Sequence, residues 1–233
     1  MSHVTGVIIN GVGILLGSGL GMLWGHRLHS QFREQAMRLI GMVVILIGLK
    51  MAWPLTDPVN TLLSLIVGGW IGSLLGVNAA LDRFGVWAES KAGRTGFSKG
   101  FIAATLIFNV GAMAILGALQ EGLTGRYSIL ATKAVLDGTT SLLLTTVAGW
   151  GVIVAAIPTV VYEGVLSLLA GDVKDALQGA LMQDVSVVGG LIIATIGFNF
   201  LLDRTVINIG DLLPALVVTL ALGWVKMHGL SFL

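Results

Sequence analysis

The 233-residue chain contains no cysteine, which excludes disulfide bonds, thiol nucleophiles and cysteine-ligated metal sites. Charged residues are also scarce: they make up 11% of the chain, whereas soluble domains contain about 25%. The formal net charge is only +1, so the chain lacks the basic surface with which proteins bind nucleic acid. These deficits argue against a soluble domain and against nucleic acid as a partner.

The motifs of catalysis are missing as well. The sequence has no phosphate-binding loop, no nucleophile elbow and no HExxH zinc motif. His26 and His29 have no acidic partner at a zinc-ligand spacing. We therefore expect a protein that is not an enzyme and that uses no metal and no cofactor.

Apolar residues and glycine are abundant in this chain, in contrast to charged residues. Apolar residues make up 55% of the chain, 33 residues are glycine, and the mean hydropathy is +0.94. Glycine within apolar runs is common in membrane helices, because it lets neighbouring helices approach closely. The composition predicts a membrane protein whose main partner is the lipid bilayer.

Eight apolar segments have roughly the length needed to cross a bilayer core of about 30 Å as α-helices. They span residues 4–24, 37–53, 59–77, 100–119, 129–148, 151–170, 184–202 and 210–226, numbered here as segments 1 to 8. We predict an all-α polytopic membrane protein with seven or eight transmembrane helices. It would form a single transmembrane domain with halves 1–99 and 100–233. Whether residues 128–170 form two full crossings stays open.

Positive charges are concentrated in two connections between segments. Residues 25–36 contain Arg27 and Arg33, and residues 78–99 contain four Lys and Arg residues, whereas residues 54–58 contain none. By the positive-inside rule both basic connections are cytoplasmic. Eight crossings would then place both termini outside.

Parts of the two halves resemble one another. Segment 2 resembles segment 7, and the match pairs Gly41 with Gly190 and Gly48 with Gly197. Segment 1 resembles segment 4, which places Asn10 opposite Asn109. We interpret the pattern as an inverted repeat of segments 1–3 and segments 4, 7 and 8, with segments 5 and 6 as an inserted hairpin.

Several longer words of the sequence resemble a known family. The words are IINGVGILLGSGLG at the start of the chain, LQEGLTG (119–125), SILATKAVLDG (128–138), DVSVVGGLIIATIG (184–197) and DLLPAL (211–216). Together they resemble the bacterial inner-membrane family called domain of unknown function 554. The resemblance implies a multi-pass protein of the bacterial cytoplasmic membrane, and it implies no particular activity.

Segments 5 and 6 contain three ionisable residues. Lys133 and Asp137 lie four residues apart and therefore share one helix face. They could line a cavity as a proton-linked pair, or form an ion pair that extends towards lipid headgroups. Glu163 lies one turn after Pro158, and it could form a cation or proton site or stay neutral and bond another helix.

Asn10 and Asn109 lie next to glycine within apolar segments. They could mark interrupted helices whose backbone polar groups face a central site, or they could simply form interhelical hydrogen bonds. Small-residue faces predict close helix packing within one subunit or between subunits of a homo-oligomer. These faces contain Gly13, Gly17, Gly21, Gly68, Gly72 and Gly76.

The pattern favours a transporter or channel-like protein for a small solute or ion. Asn10, Asn109, Asp137 and Glu163 would line its pathway, with Lys133 as their charge partner. The alternative is a membrane scaffold or accessory subunit in which the same residues serve only as interhelical contacts.

Overall fold

The computed structural model describes residues 4–25, 30–92, 95–109, 112–173 and 180–227, and these residues contain helices and no strand. The first six helices are α1 (Thr5–Gly25), α2 (Ser30–Ala52), α3 (Pro58–Leu75), α4 (Val77–Ala92), α5 (Ser98–Asn109) and α6 (Ala112–Thr124). The remaining seven are α7 (Ser128–Ala148), α8 (Gly151–Val154), α9 (Ala156–Leu168), α10 (Ala170–Val173), α11 (Ala180–Leu202), α12 (Ile209–Leu212) and α13 (Pro214–Met227).

Six of the helical stretches are long and apolar enough to cross a membrane, and the number rises to seven if α5 and α6 form one bent span. The all-α membrane fold is therefore confirmed. α7 has the length of a span, with 21 residues, but Lys133 and Asp137 lower its hydropathy. The eighth predicted crossing depends on this helix.

Two helix boundaries differ from the predicted ones. α2 begins at Ser30 and not at residue 37, because the polar residues before the apolar run are themselves good helix formers. α4 occupies much of the basic connection at residues 78–99, which lies outside the eight predicted segments. The start of α3 agrees with expectation: Pro58 is its first residue, and the Asp57 side chain accepts a hydrogen bond from Asn60 N at 3.0 Å.

The chain divides into two compact units. Unit 1 contains residues 1–40 and 84–174, and unit 2 contains residues 41–83 and 175–233. Each unit therefore draws on both of the predicted sequence halves.

Within unit 1, α1 packs lengthwise against α7. A Cβ atom added to Gly13, Gly17 or Gly21 would meet the backbone of Ala134, Gly138 or Leu142, respectively. Both sets of residues advance by four, so the two helices run parallel with their backbones in contact. This glycine face is covered by a helix of the same chain.

Within unit 2, α2 crosses α11 in the antiparallel direction. Gly41 packs against Gly197, and Gly48 packs against Gly190. α3 meets α12 and α13 through a second small-residue face, since Cβ atoms on Gly68 and Gly72 would meet Ala215 and Asp211. Gly76 has no such packing role: it ends α3 with a left-handed φ of 63°, a conformation that favours glycine.

Candidate functional site

The candidate site lies in unit 1 and begins with two residues of α7. Lys133 and Asp137 are 4% and 7% exposed, and they form an ion pair along one helix face. Asp137 therefore faces the protein interior.

Glu163 of α9 completes the charged part of the site. It is fully buried, and Lys133 Nζ lies 3.2 Å from its Oε1. Asn10 of α1 donates from Nδ2 to both carboxylate oxygens of Glu163, at 2.9 and 3.1 Å. We call Asn10, Lys133, Asp137 and Glu163 the charged cluster. Four of the five predicted site residues therefore meet, and they come from three helices.

The charges of this cluster do not cancel. When all three groups are ionised, two carboxylates face one ammonium group, which leaves one negative charge in excess. Lys133 Nζ also lies 5.9 Å from the ring centre of Phe108, within reach of a cation–π contact. An excess negative charge inside a membrane-spanning bundle attracts a cation and disfavours an anion.

Asn109 lies beside the charged cluster without bonding it. It is the last residue of α5, and its Nδ2 donates to Thr159 Oγ1 at 3.0 Å and to Thr105 O at 2.7 Å. Thr159 precedes Glu163 by one turn of α9. The axes of α5 and α6 differ in direction by 55°, so Asn109 does end a helix. Asn10 does not, because α1 continues through it. Of the two alternatives for Asn10, the structure shows the interhelical hydrogen bond.

One buried carboxylate was not among the predicted site residues. Glu121 of α6 is fully buried, and it accepts hydrogen bonds from the backbone N–H groups of Gly6 at 2.7 Å and Val7 at 3.2 Å. These groups lie in the first turn of α1, where N–H groups lack helical partners. The sequence signal was an acidic residue in the word LQEGLTG, at the end of an apolar segment.

A second feature that sequence analysis missed is a set of unpartnered polar groups. Among the described residues, six buried side-chain atoms have no hydrogen-bond partner, and all six belong to unit 1. They are Asn10 Oδ1, Ser18 Oγ, Thr105 Oγ1, Asn109 Oδ1, Thr145 Oγ1 and Trp150 Nε1. Buried polar groups are usually paired with protein or ordered water, so these six atoms are exceptions concentrated in unit 1.

Comparisons with known proteins support the family that the sequence words resemble. The chain is 27% identical over 217 residues to "Uncharacterized membrane protein YdfK" of Bacillus subtilis (strain 168), a match that covers 91% of this chain and 93% of that protein. It is also 27% identical over 226 residues to "Uncharacterized protein YqgA" of Escherichia coli (strain K12), covering 94% and 96% of the two chains. No solved structure matches the chain.

The match to a family profile is equally extensive. The profile described as "Protein of unknown function (DUF554)" matches residues 5–224, which include the charged cluster and both units. With that coverage, the chain belongs to the DUF554 family of proteins of unknown function, and like its relative in Bacillus subtilis it is a membrane protein.

Proposed function

We propose that this protein transports a small cation across the membrane and that the charged cluster is its binding site. One observation carries the proposal: a lysine and two carboxylates meet within a unit of apolar helices, each at most 7% exposed. Ionisable residues inside a membrane are costly and by default indicate an ion or substrate pathway. The proposal includes no catalysis.

The balance of energies supports a functional role over a purely stabilising one. Replacing a buried ion pair with apolar residues of similar volume often leaves stability unchanged or raises it, because desolvation of the charges offsets their attraction. A cluster that served only to hold α1, α7 and α9 together would be replaceable by apolar contacts. Its excess negative charge instead gives it an affinity for cations.

The inverted repeat is part of the proposal, since transporters commonly contain one. The repeat exchanges Gly41 with Gly190 and Gly48 with Gly197. Under that exchange, the contact between Gly41 and Gly197 becomes the contact between Gly190 and Gly48, and both contacts occur in unit 2. A two-fold axis between α2 and α11 would produce this reciprocity.

Cation flux into liposomes tests the proposed function. We expect the purified protein to move protons or another monovalent cation down an imposed gradient. Asp137→Asn and Glu163→Gln should each lower the flux tenfold or more, because each removes the excess negative charge while preserving shape. Asp57→Asn is the matched control, since Asp57 pairs with Lys226 at the surface of unit 2. Unchanged flux in both cluster variants would contradict the proposal.

The alternative function, a scaffold or accessory subunit, is supported by the direct bonds that join three helices at the cluster. A scaffold would tolerate a triple variant in which Lys133, Asp137 and Glu163 are replaced by Met, Asn and Gln. If the protein is only a scaffold, the wild-type protein would give no cation flux. The comparison of wild type with empty liposomes therefore separates the two functions.

The orientation is also proposed: the protein lies in the bacterial cytoplasmic membrane with both termini outside and residues 78–99 in the cytoplasm. The support is the concentration of Lys and Arg residues in that connection. Ser90 is exposed on α4, and the chain has no cysteine of its own. A Ser90→Cys variant should resist a membrane-impermeant thiol reagent in intact cells and react after lysis. Labelling of intact cells would reverse the orientation.

A further inference from the structure

One buried face of α7 is polar over most of its length. Lys133, Asp137, Ser141 and Thr145 follow one another at intervals of four residues, and their exposed fractions are 4%, 7%, 0% and 4%. The interval of four places them in one row on the helix. We call these four residues the polar row. It runs from the charged cluster towards the C-terminal end of α7.

Polar groups without hydrogen-bond partners lie near the end of the polar row that contains Thr145. Thr145 Oγ1 and the indole N–H of Trp150 have no partner in the protein. On α1, a Cβ atom added to Gly21 would lie 2.9 Å from Thr145 Cβ, which brings the neighbouring turn of α1 and its buried Ser18 to this level. Ser18 Oγ is unpartnered too. A buried polar group without a partner destabilises the folded state, and a bound water would supply the missing hydrogen bonds.

The spacing of the polar row suits a single file of water molecules. Positions four residues apart are separated by about 6 Å along a helix axis. One water that bonds two oxygens at about 2.8 Å each spans nearly the same distance. By spacing alone, one water would fit between Thr145 and Ser141, and another between Ser141 and Asp137. Ser141 donates to Asp137 O in the structure and can accept from a water on one side; to relay a proton, its O–H bond turns from Asp137 O to the water on the other side.

The width of this path limits what can pass. The polar row borders the seam where α1 and α7 touch backbone to backbone at Gly17 and Gly138. None of its four residues is more than 7% exposed. An organic solute or a hydrated metal cation needs a wider opening, whereas a proton moves along a file of waters without one.

We propose that the polar row is a hydrated half-channel that delivers protons to Asp137 from the end of α7 next to Gly149. This inference rests on the proposed function and names its cation as the proton. A hydronium ion at the channel mouth gives its proton to the water file, and a proton from the last water adds to the Asp137 carboxylate. Lys133 stays paired with Glu163, so the proton neutralises the excess charge of the cluster.

The surroundings of Asp137 can hold that proton. Lys133 is shared between Asp137 and Glu163, so Asp137 can take up a proton while Lys133 keeps an anionic partner. The other ionisable groups near α7 are already engaged: Glu163 bonds Lys133 and Asn10, and Glu121 bonds the start of α1.

Proton flux in liposomes with a pH-sensitive dye tests the half-channel. Thr145→Val and Ser18→Ala should each slow proton flux tenfold or more, while Thr145→Ser retains it. Thr146→Val is the matched control, because the Thr146 hydroxyl bonds its own helix at Leu143 O. Unchanged melting temperatures would show that the slow variants still fold.

The outcomes separate this inference from the proposed function. If the protein carries sodium or potassium and Thr145→Val leaves that flux unchanged, the proton half-channel is wrong and cation transport stands. If no cation moves at all, the proposed function is wrong, and the half-channel falls with it. An experimental structure that resolves bound water gives an independent readout: waters bonded to Thr145 and Ser18 are expected, and a dry seam would overturn the inference.

Discussion

The two units use the same close helix packing but treat charge in opposite ways. Among the described residues, the buried charged side chains are Glu121, Lys133, Asp137 and Glu163, and all of them belong to unit 1. In unit 2 the buried polar groups are hydroxyls such as Thr61 and Thr219, which bond carbonyl groups of their own helices. None of the charged residues described in unit 2 is buried, and Asp57 pairs with Lys226 at the surface.

The difference separates the contacts that stabilise both units from the buried charges that only unit 1 contains. Unit 2 shows that glycine contacts, an apolar core and self-bonded hydroxyls suffice to pack membrane helices. Unit 1 has the same glycine seam between α1 and α7, so it does not need buried charges for packing. The charged cluster and the polar row are therefore additions to a packing scheme that is complete without them.

The largest expected effect on stability distinguishes the buried ion pairs of Lys133 from the exposed ion pair of Lys226. Lys133→Met leaves two buried carboxylates without their cation, and it should lower the free energy of unfolding by about 3–5 kcal/mol. Lys226→Met removes an exposed partner and should lower the free energy of unfolding far less, because solvent screens the pair. Unfolding of both variants in mild detergent, titrated with denaturant and followed by tryptophan fluorescence, measures the difference.

A compensating variant shows whether the cost comes from charge or from packing. Lys133→Met combined with Asp137→Asn and Glu163→Gln removes all the charges of the cluster, so most of the lost stability should return. Should the triple variant stay as unstable as Lys133→Met, the contacts of the lysine side chain, and not its charge, stabilise unit 1.

The sequence predicts the local features of the charged cluster well. The shared face of Lys133 and Asp137 follows from helix periodicity alone. An aspartate in the middle of an apolar segment is expected to face the protein interior, because exposing its carboxylate to lipid is costly. Apolar runs likewise predict most of the helices to within a few residues. These predictions succeed because they depend on neighbours along the chain.

What the sequence does not predict is the partner of each polar group. Asn10 and Glu163 bond across 153 positions, and Glu121 reaches the start of α1 across 115 positions. No local pattern specifies such pairs, since they depend on which helices pack together. Ser18 and Thr145 were missed for another reason: single hydroxyl groups in membrane helices usually bond their own backbone, and only the structure reveals those that do not.

The glycine seams provide a test in which the two units should behave alike. Gly17→Ala in unit 1 and Gly48→Ala in unit 2 each place a methyl group against a facing backbone. Each should lower the free energy of unfolding by about 1–3 kcal/mol. Gly19→Ala is the control, because nothing lies within 4 Å of its added Cβ. If only the Gly17 variant were destabilised, the shared packing scheme would be wrong.

The smallest expected effect concerns the surface charge of unit 2. Hydrogen bonding to Asn60 N, followed by the bond to Lys226, lowers the pKa of Asp57 below its usual value of 3.8. A carboxylate with a lowered pKa in the folded state stabilises that state above pH 3.8, and the stabilisation is lost as the pH falls through the lowered value. Asp57→Ala also removes the helix cap and should cost about 1 kcal/mol at pH 7, whereas Asp57→Asn keeps a capping oxygen and should cost less. Unfolding measured at pH 7 and at pH 3 should show the difference between wild type and Asp57→Asn shrinking at the lower pH. A difference that stayed constant would mean that the charge of Asp57 contributes nothing, and unit 2 would then depend on packing alone.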